Sequence, residues 1–421
     1  MQRLRNINDV VQWRLCLGCG VCSWFCPQQA VRLVDVAEEG IRPVVDTTRC
    51  GASCECLKVC PAVSAEFSVP PPASTSPLAK QWGLVLELWE GHAADAVIRY
   101  RGASGGILTA LAAYCLEKAD MEGVLHIGAH QEDPLKNCAY LSRSRSELLQ
   151  RTGSRYAPAA VGERLDLVEK SQRPCVVIGR PVEIAALRKV ERLRPELRAK
   201  VGLALSFFCA ESPSSAGTRA LLHRLGIFAS EVAGVRYRGF GWPGHFAVWR
   251  QGESEPCAKL SYRESWGFLQ AYRPWAAHLW PDGTGELADI SCGDPWYELP
   301  DGVNPGFSLV VVRTERGREI LHRAMGAGYV ELRPAEYWKL QKSQAGLLTK
   351  KGSIWGRRLA LRLLGLPVTN FEGLDLFDCW MRLPIQVKVK SVLGTLRRVI
   401  RRRLYRPATL EGDRAMNVCR E

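Results

Sequence analysis

From about Trp82 onward, short apolar runs alternate with longer stretches in which apolar residues recur every three or four positions. Residues 124–129, 174–179, 201–209 and 307–314 read as strands, and 107–118, 182–190 and 215–226 as helices. Strands set between helices predict an α/β domain on a mixed or largely parallel sheet, over residues 81–330. The first 66 residues have a different rhythm. There, two short alternating segments flank Glu38-Glu39-Gly40 and read as a hairpin. Residues 67–80 hold four prolines among small polar residues, which makes a stiff linker and a domain boundary. Residues 331–421 read as a basic, helical C-terminal extension.

Cysteine spacing changes the picture most. Cys16, Cys19, Cys22 and Cys26-Pro27 form a C-x2-C-x2-C-x3-C-P run. This is bacterial ferredoxin spacing, in which three thiolates hold one 4Fe-4S cube and the fourth reaches a neighbouring cube. Buried free thiols or a zinc knuckle are the bland alternatives. Shifting the sequence by 34 positions lays Cys16 on Cys50, Cys22 on Cys56 and Cys26-Pro27 on Cys60-Pro61. Such a repeat is what a two-cluster domain with pseudo-twofold symmetry shows. Cys19 falls on Ser53, and the missing thiol stands one place later at Cys54. The expected ligands are Cys16, Cys19, Cys22 and Cys60 for one cluster. For the second they are Cys26, Cys50, Cys56 and Cys54, with Ser53 the less favoured substitute.

The 421 residues, 47% of them hydrophobic, are too many for a lone ferredoxin and predict two or three domains. Eight of the 16 cysteines sit in cluster spacing, and the first ten residues lack the apolar core of a signal peptide. Both point to a reducing, cytoplasmic setting. No apolar run approaches about 18 residues, so no membrane-spanning helix is expected.

A second candidate site is the segment Arg101-Gly102-Ala103-Ser104-Gly105-Gly106 before the helix at 107–118. A glycine-rich turn opening a helix offers free backbone N–H groups and the positive end of the helix dipole, which together attract phosphate. Ser104 is expected at the helix N-cap or just before it. Taken alone the segment equally fits a structural turn.

Six further strings follow in order: T-G-S-R-Y-A-P-A at 152–159, V-V-I-G-R-P at 176–181, S-F-F-C-A-E-S-P-S at 206–214, V-R-Y-R-G-F-G-W-P-G at 235–244, G-E-L-A-D-I-S-C-G-D-P-W at 285–296, and G-F-S-L-V-V-V-R-T at 306–314. With the glycine-rich turn and the cysteine run, this set resembles the coenzyme F420 hydrogenase/dehydrogenase beta-subunit family. The resemblance implies FAD in the α/β domain, exchanging electrons with the clusters, and coenzyme F420 or another small conjugated compound as substrate.

On that resemblance Arg101, Gly102, Ser104, Gly105, Gly106 and Thr109 are expected around the FAD pyrophosphate. Ser154, Arg155 and Tyr156 would add a cation and hydroxyls to the same anion. Trp242 offers an aromatic face for a ring system, with a plain core tryptophan as the alternative. Gly293 and Asp294 follow a strand end, where α/β sheets bind ligands, and Asp294 would accept from a ribose or flavin ring. His245 and Asp294 are the weak candidates for a catalytic proton donor. The chain also departs from the family pattern: where many members have G-x-P-C-Q it has Gly179-Arg180-Pro181-Val182-Glu183, and a frequent C-x-x-C is replaced by Ala277 and Trp280. Only Cys209 of that set remains, so any further cluster it serves in relatives is lost here.

The net charge of +14 is concentrated late, with eight Lys or Arg and no acidic residue between positions 385 and 406. Val389, Leu393, Leu396, Ile400 and Leu404 recur there at helical spacing. A basic amphipathic helix suits an anionic membrane surface or an acidic carrier such as ferredoxin; a solvated helix face is the plain alternative. Nucleic-acid binding is not expected, because no aromatic residues interleave with the charge. The sequence thus predicts an iron–sulfur flavoprotein oxidoreductase. The rival is an electron-transfer subunit without its own catalysis, working with a partner enzyme.

Overall fold

The computed structural model describes residues 4–51, 54–67, 77–298, 304–409 and 415–417; Ser53 and most of the proline-rich linker lie outside the described residues. An eight-stranded sheet organises the chain. Its order from one edge is Val330–Pro334, Glu87–Ala93, Ser308–Val312, Ile290–Gly293, Val201–Phe207, Cys175–Gly179, Val124–Ala129 and Asn137–Ser142. The strands at 124, 175, 201 and 290 run parallel, while the flanking pairings are antiparallel. The sheet is therefore mixed, with a parallel centre. Ser308–Val312 is buried along its whole length, as a strand covered on both faces must be.

Helices cover both faces. On one, Ile107–Lys118 and Glu315–Gly326 bury Leu111, Ala112, Ile320 and Leu321 against Val310 and Val312. On the other, Pro181–Leu193 packs Ile184, Leu187 and Val190 with Val177 and Ala204. Val21, Phe25 and Val59 of the cysteine-rich unit enter that same core. The cysteine-rich unit is thus fused to the sheet rather than tethered to it. It consists of the antiparallel hairpin Val31–Val36 and Gly40–Val45, joined at its edge by Ala415–Asn417, and the short helices Val21–Phe25 and Glu55–Lys58.

The C-terminal region is not a separate extension beyond residue 330. Val330–Pro334 is the edge strand of the main sheet, and Asn370–Glu372 pairs in parallel with Ser64–Glu66 of the cysteine-rich unit. Leu361, Leu366, Val399 and Leu404 share one core with Ile7, Val10, Cys16, Cys22 and Cys60. The basic segment forms the helix Ile385–Arg401. Ser391, Thr395 and Val399 face inward, and Ser391 Oγ meets the notch left by Gly356. Ile385, Val389, Leu393 and Ile400 face outward, Ile385 at 70% and Leu393 at 60% exposure. Among the described residues no helix is long and apolar enough to cross a membrane.

Candidate functional site

The eight cysteines of the two motifs fall into two nests. Cys22 feels Cys19, Cys16 and Cys60 and, after them, Cys56; Cys56 feels Cys54, Cys26 and Cys50. Cys54, held in left-handed backbone (φ 53°), belongs to the second nest. A small hollow lined by Cys16, Cys19, Cys22 and Cys60 marks the first. Burial, reinforced by the neighbouring thiols, pushes Cys19 and Cys22 far above the ordinary thiol range, Cys60 up to about 12 and Cys56 up to about 11. Thiols placed so are poor as free thiolates and suited to a cationic iron cage that neutralises them together. Among the described residues no three His, Cys, Asp or Glu side chains are set to hold a single metal ion. The first nest is interior. The second reaches the surface, with Cys50 exposed and Cys26, Cys54 and Cys56 half-buried.

A cavity of about 680 Å³ lies at the carboxyl ends of the parallel strands, where Gly179, Phe207 and Gly293 line it. Gly102, Ser104, Gly106 and Thr109 also line it, at the start of the helix Ile107–Lys118. The N-cap is Gly106, not Ser104. It adopts a left-handed conformation (φ 76°), a Cβ there would meet the Ile98 carbonyl at 2.8 Å, and no side chain caps the helix. Ile107, Leu108 and Thr109 of its first turn line the cavity, with their N–H groups left uncapped by side chains. The Ser104 hydroxyl instead donates to the Phe307 carbonyl (2.6 Å) and accepts from Ser308 Oγ (3.1 Å). Gly105 is packed behind the wall with its N–H on Ser308 Oγ, and Arg101 is exposed and off the wall.

Ser154, Arg155 and Tyr156 line the cavity, but Arg155 is a brace. Its guanidinium donates to Asn137 Oδ1 and to the carbonyls of Val235, Pro134 and Lys136. Asp294 is equally engaged: both its oxygens accept from Arg238, at 2.8 and 2.6 Å, and Oδ1 also accepts from Trp242 Nε1 at 3.1 Å. Burial opposes the Arg238 charge, and Asp294 more than restores it. Trp242 therefore stands behind the wall, 5.5 Å from Trp296, which faces the cavity and stacks on Tyr262 at 5.1 Å. His245 is exposed on the strand His245–Arg250 and does not touch the cavity.

Several wall residues carried no signal in the sequence. Arg180, at the variable position of the Gly179–Glu183 string, is buried between the first nest and the cavity. It donates to the carbonyls of Leu17 (3.3 Å) and Ala159 (3.0 Å) and pairs with Glu183 (3.2 Å) and Glu211 (3.1 Å). Glu211 holds a left-handed backbone (φ 79°), strain of the kind that concentrates at working sites. Val182 and Trp280, at the positions where many members carry cysteine, lie in one apolar cluster, and Ala277 is also buried. That region is a hydrophobic plug.

Sequence profiles of two consecutive pieces cover more than half of the chain. The coenzyme F420 hydrogenase/dehydrogenase beta subunit N-terminal model matches residues 88–166, and its C-terminal model matches residues 173–337. The chain belongs to the coenzyme F420 hydrogenase/dehydrogenase beta-subunit family. Within this family it is 27% identical over 287 residues to a coenzyme F420 hydrogenase subunit beta of Methanococcus voltae, covering 66% of this chain and 95% of the relative. It is 23% identical over 329 residues to a coenzyme F420-dependent sulfite reductase of Methanocaldococcus jannaschii, over 75% of this chain. It spans about half (47%) of that longer protein. The fold matches a chain of the F420-reducing NiFe hydrogenase complex from Methanosarcina barkeri, with a TM-score of 0.54, 22% identity, and coverage of 70% of this chain and 98% of that one. The family pieces end at residue 337, so the helix Ala345–Leu363 that closes the cavity lies beyond them.

Proposed function

We propose that this family member is an iron–sulfur flavoprotein oxidoreductase, passing electrons between two 4Fe-4S clusters and FAD, to or from coenzyme F420 or another small conjugated substrate. When bound, the clusters supply one-electron exchange and the flavin both one- and two-electron exchange. The observation that carries this reading is the adjacency of the interior thiol nest to the cavity. Leu17, between Cys16 and Cys19, gives its carbonyl to Arg180, which itself lines the cavity.

The residues divide the work. Cys16, Cys19, Cys22 and Cys60 would hold the interior cluster, and Cys26, Cys50, Cys54 and Cys56 the outer one. The exposure of Cys50 supports the outer nest as the port for external electrons. Gly106 and the uncapped N–H groups of residues 107–109 would receive the FAD pyrophosphate. Tyr262 and Trp296, with Arg238 lying over the Tyr262 ring at 4.6 Å, form a polarised aromatic wall beside it. The hydrophobic plug of Val182 and Trp280 keeps water from the cluster side.

The test is anaerobic purification with iron and flavin quantitation. About eight iron atoms per chain are expected for two cubes, with a flavin absorbance band that bleaches on addition of reduced F420 or ferredoxin. A colourless, iron-free preparation overturns the reading. Iron without flavin leaves instead an electron-transfer subunit that serves a partner enzyme. Relatives named as hydrogenase subunits favour that second reading.

The outward face of the helix Ile385–Arg401 supports one partner surface. Ile385, Val389, Leu393 and Ile400 are exposed on a helix with no acidic residue, which fits peripheral attachment to an anionic lipid surface.

A further inference from the structure

One stretch of the cavity wall carries three clustered cations. Arg273, Lys350 and Arg357 all line the cavity, and among the described residues none of them makes an ion pair. Lys350 Nζ is buried and has no hydrogen-bond partner. Of the three carboxylates lining the cavity, Glu183 and Glu211 pair with Arg180 and Asp294 with Arg238; Glu211 is the one that also feels Lys350. Arg273 gives Nε to the Gln270 carbonyl and Nη1 to that of Ala210; Arg357 gives Nη1 to that of His278. Each guanidinium keeps donors in reserve.

The three cations are close enough to feel one another. Burial pulls Lys350 down to about 8, Glu211 opposing and Arg273 and Arg357 adding to it. Arg357 is pulled down to about 10 by burial and by Arg398 and Arg273. His278, on the same wall, drops to about 3 through burial and the same charges, and so stays neutral. A buried, unpaired ammonium is costly unless a counter-charge arrives from outside. Two of the three charges come from Ala345–Leu363, beyond the family-wide domain.

We propose that Lys350, Arg357 and Arg273 form an anion subsite that receives a phosphate or carboxylate group carried by the substrate. The C-terminal helix then selects anionic substrates for this chain. The inference rests on the cavity being the redox site proposed above. A phosphate of the flavin dinucleotide would offer the same chemistry, and the experiment separates the two sources.

The as-purified full-length protein, kept anaerobic, is titrated with inorganic phosphate while thermal unfolding and tryptophan fluorescence are followed. Lys350→Gln, Arg357→Gln and the exposed control Lys259→Gln are compared with the parent. Saturable phosphate binding is expected in parent and control, weakened at least tenfold in both cavity variants, with flavin content per chain unchanged. The ligand-free Lys350→Gln protein should unfold no earlier than the parent, because it loses an unpaired charge. Equal phosphate binding in all four proteins overturns the subsite. Loss of flavin in the two cavity variants assigns the cations to the cofactor and overturns it as well. Lys350-dependent phosphate binding in a preparation without flavin keeps the subsite and overturns only the flavin reading.

Discussion

Arg180 joins the loop of the interior thiol nest to the cavity wall: one guanidinium nitrogen donates to the Leu17 carbonyl at 3.3 Å and the other pairs with Glu211 at 3.1 Å. Glu183 and Glu211 are both buried and neither makes another ion pair among the described residues, so removing the cation strips both of their paired charge. Arg180→Met is expected to lower stability by about 3–5 kcal/mol, the range for breaking a buried ion pair from one side. Denaturant unfolding reads it. Glu211→Gln should cost much less, since it keeps the shape and the Glu183 contact.

The thiol grouping predicts separable losses. Cys54→Ser should reduce iron from about eight to about four atoms per chain while the interior cluster persists. Cys60→Ser should remove the interior cluster instead. If Cys54→Ser retains all its iron, Cys54 is not a ligand.

Acid should weaken the fold through two histidines. His126 is held near 4, by burial and then by Arg151; His278 is held near 3, by burial and its cationic neighbours. Both folded values lie below the free value of about 6.5. The unfolded chain therefore binds more protons between those limits, and stability falls as pH drops below about 6.5. Each histidine contributes at most about 1.4 kcal/mol per pH unit. In urea unfolding at pH 7 and pH 5, His126→Gln should show a smaller difference than the parent.

Gly356 allows the basic helix to dock. A Cβ there would lie 2.0 Å from Ser391 Oγ and 2.9 Å from Trp380 Nε1. Gly356→Val should cost about 1–3 kcal/mol by overpacking, with earlier proteolytic cleavage after residue 384 as the second readout.

Attachment to lipid predicts that Val389→Asp with Leu393→Asp abolishes co-sedimentation with anionic vesicles and leaves the folded protein's thermal midpoint unchanged. Equal pelleting of parent and variant ends the membrane reading, and binding to ferredoxin that those changes abolish would assign the face to that protein.

Local patterns were legible where one residue type dictates one outcome. Val-rich runs became sheet strands, and the 107–118 periodicity became the helix Ile107–Lys118. The short spacers bring Cys16, Cys19 and Cys22 together, and the fold adds Cys60 to them and Cys26 to Cys50, Cys54 and Cys56. Long-range placement was not legible. Nothing around Lys350 announces that its helix crosses back to close a cavity begun at Gly102. Asp294 and Arg155 are polar residues in a ligand-like pattern, yet their hydrogen-bonding capacity is taken up by Arg238 and Asn137. Which face of residues 385–401 turns inward was not legible either: Ser391 is small enough to fit the Gly356 notch, and with Thr395 and Val399 it makes the buried side, leaving Val389, Leu393 and Ile400 outward.

Arg14 donates to the Arg406 carbonyl at 2.9 Å, and Ile7 and Val10 share a core with Val399 and Leu404. The cysteine-rich unit is thus sealed by a segment 392 residues further along the chain. With domains normally folding from the N-terminus as they emerge, the cysteine-rich unit keeps its apolar side open until the chain through Val399 and Leu404 has been made.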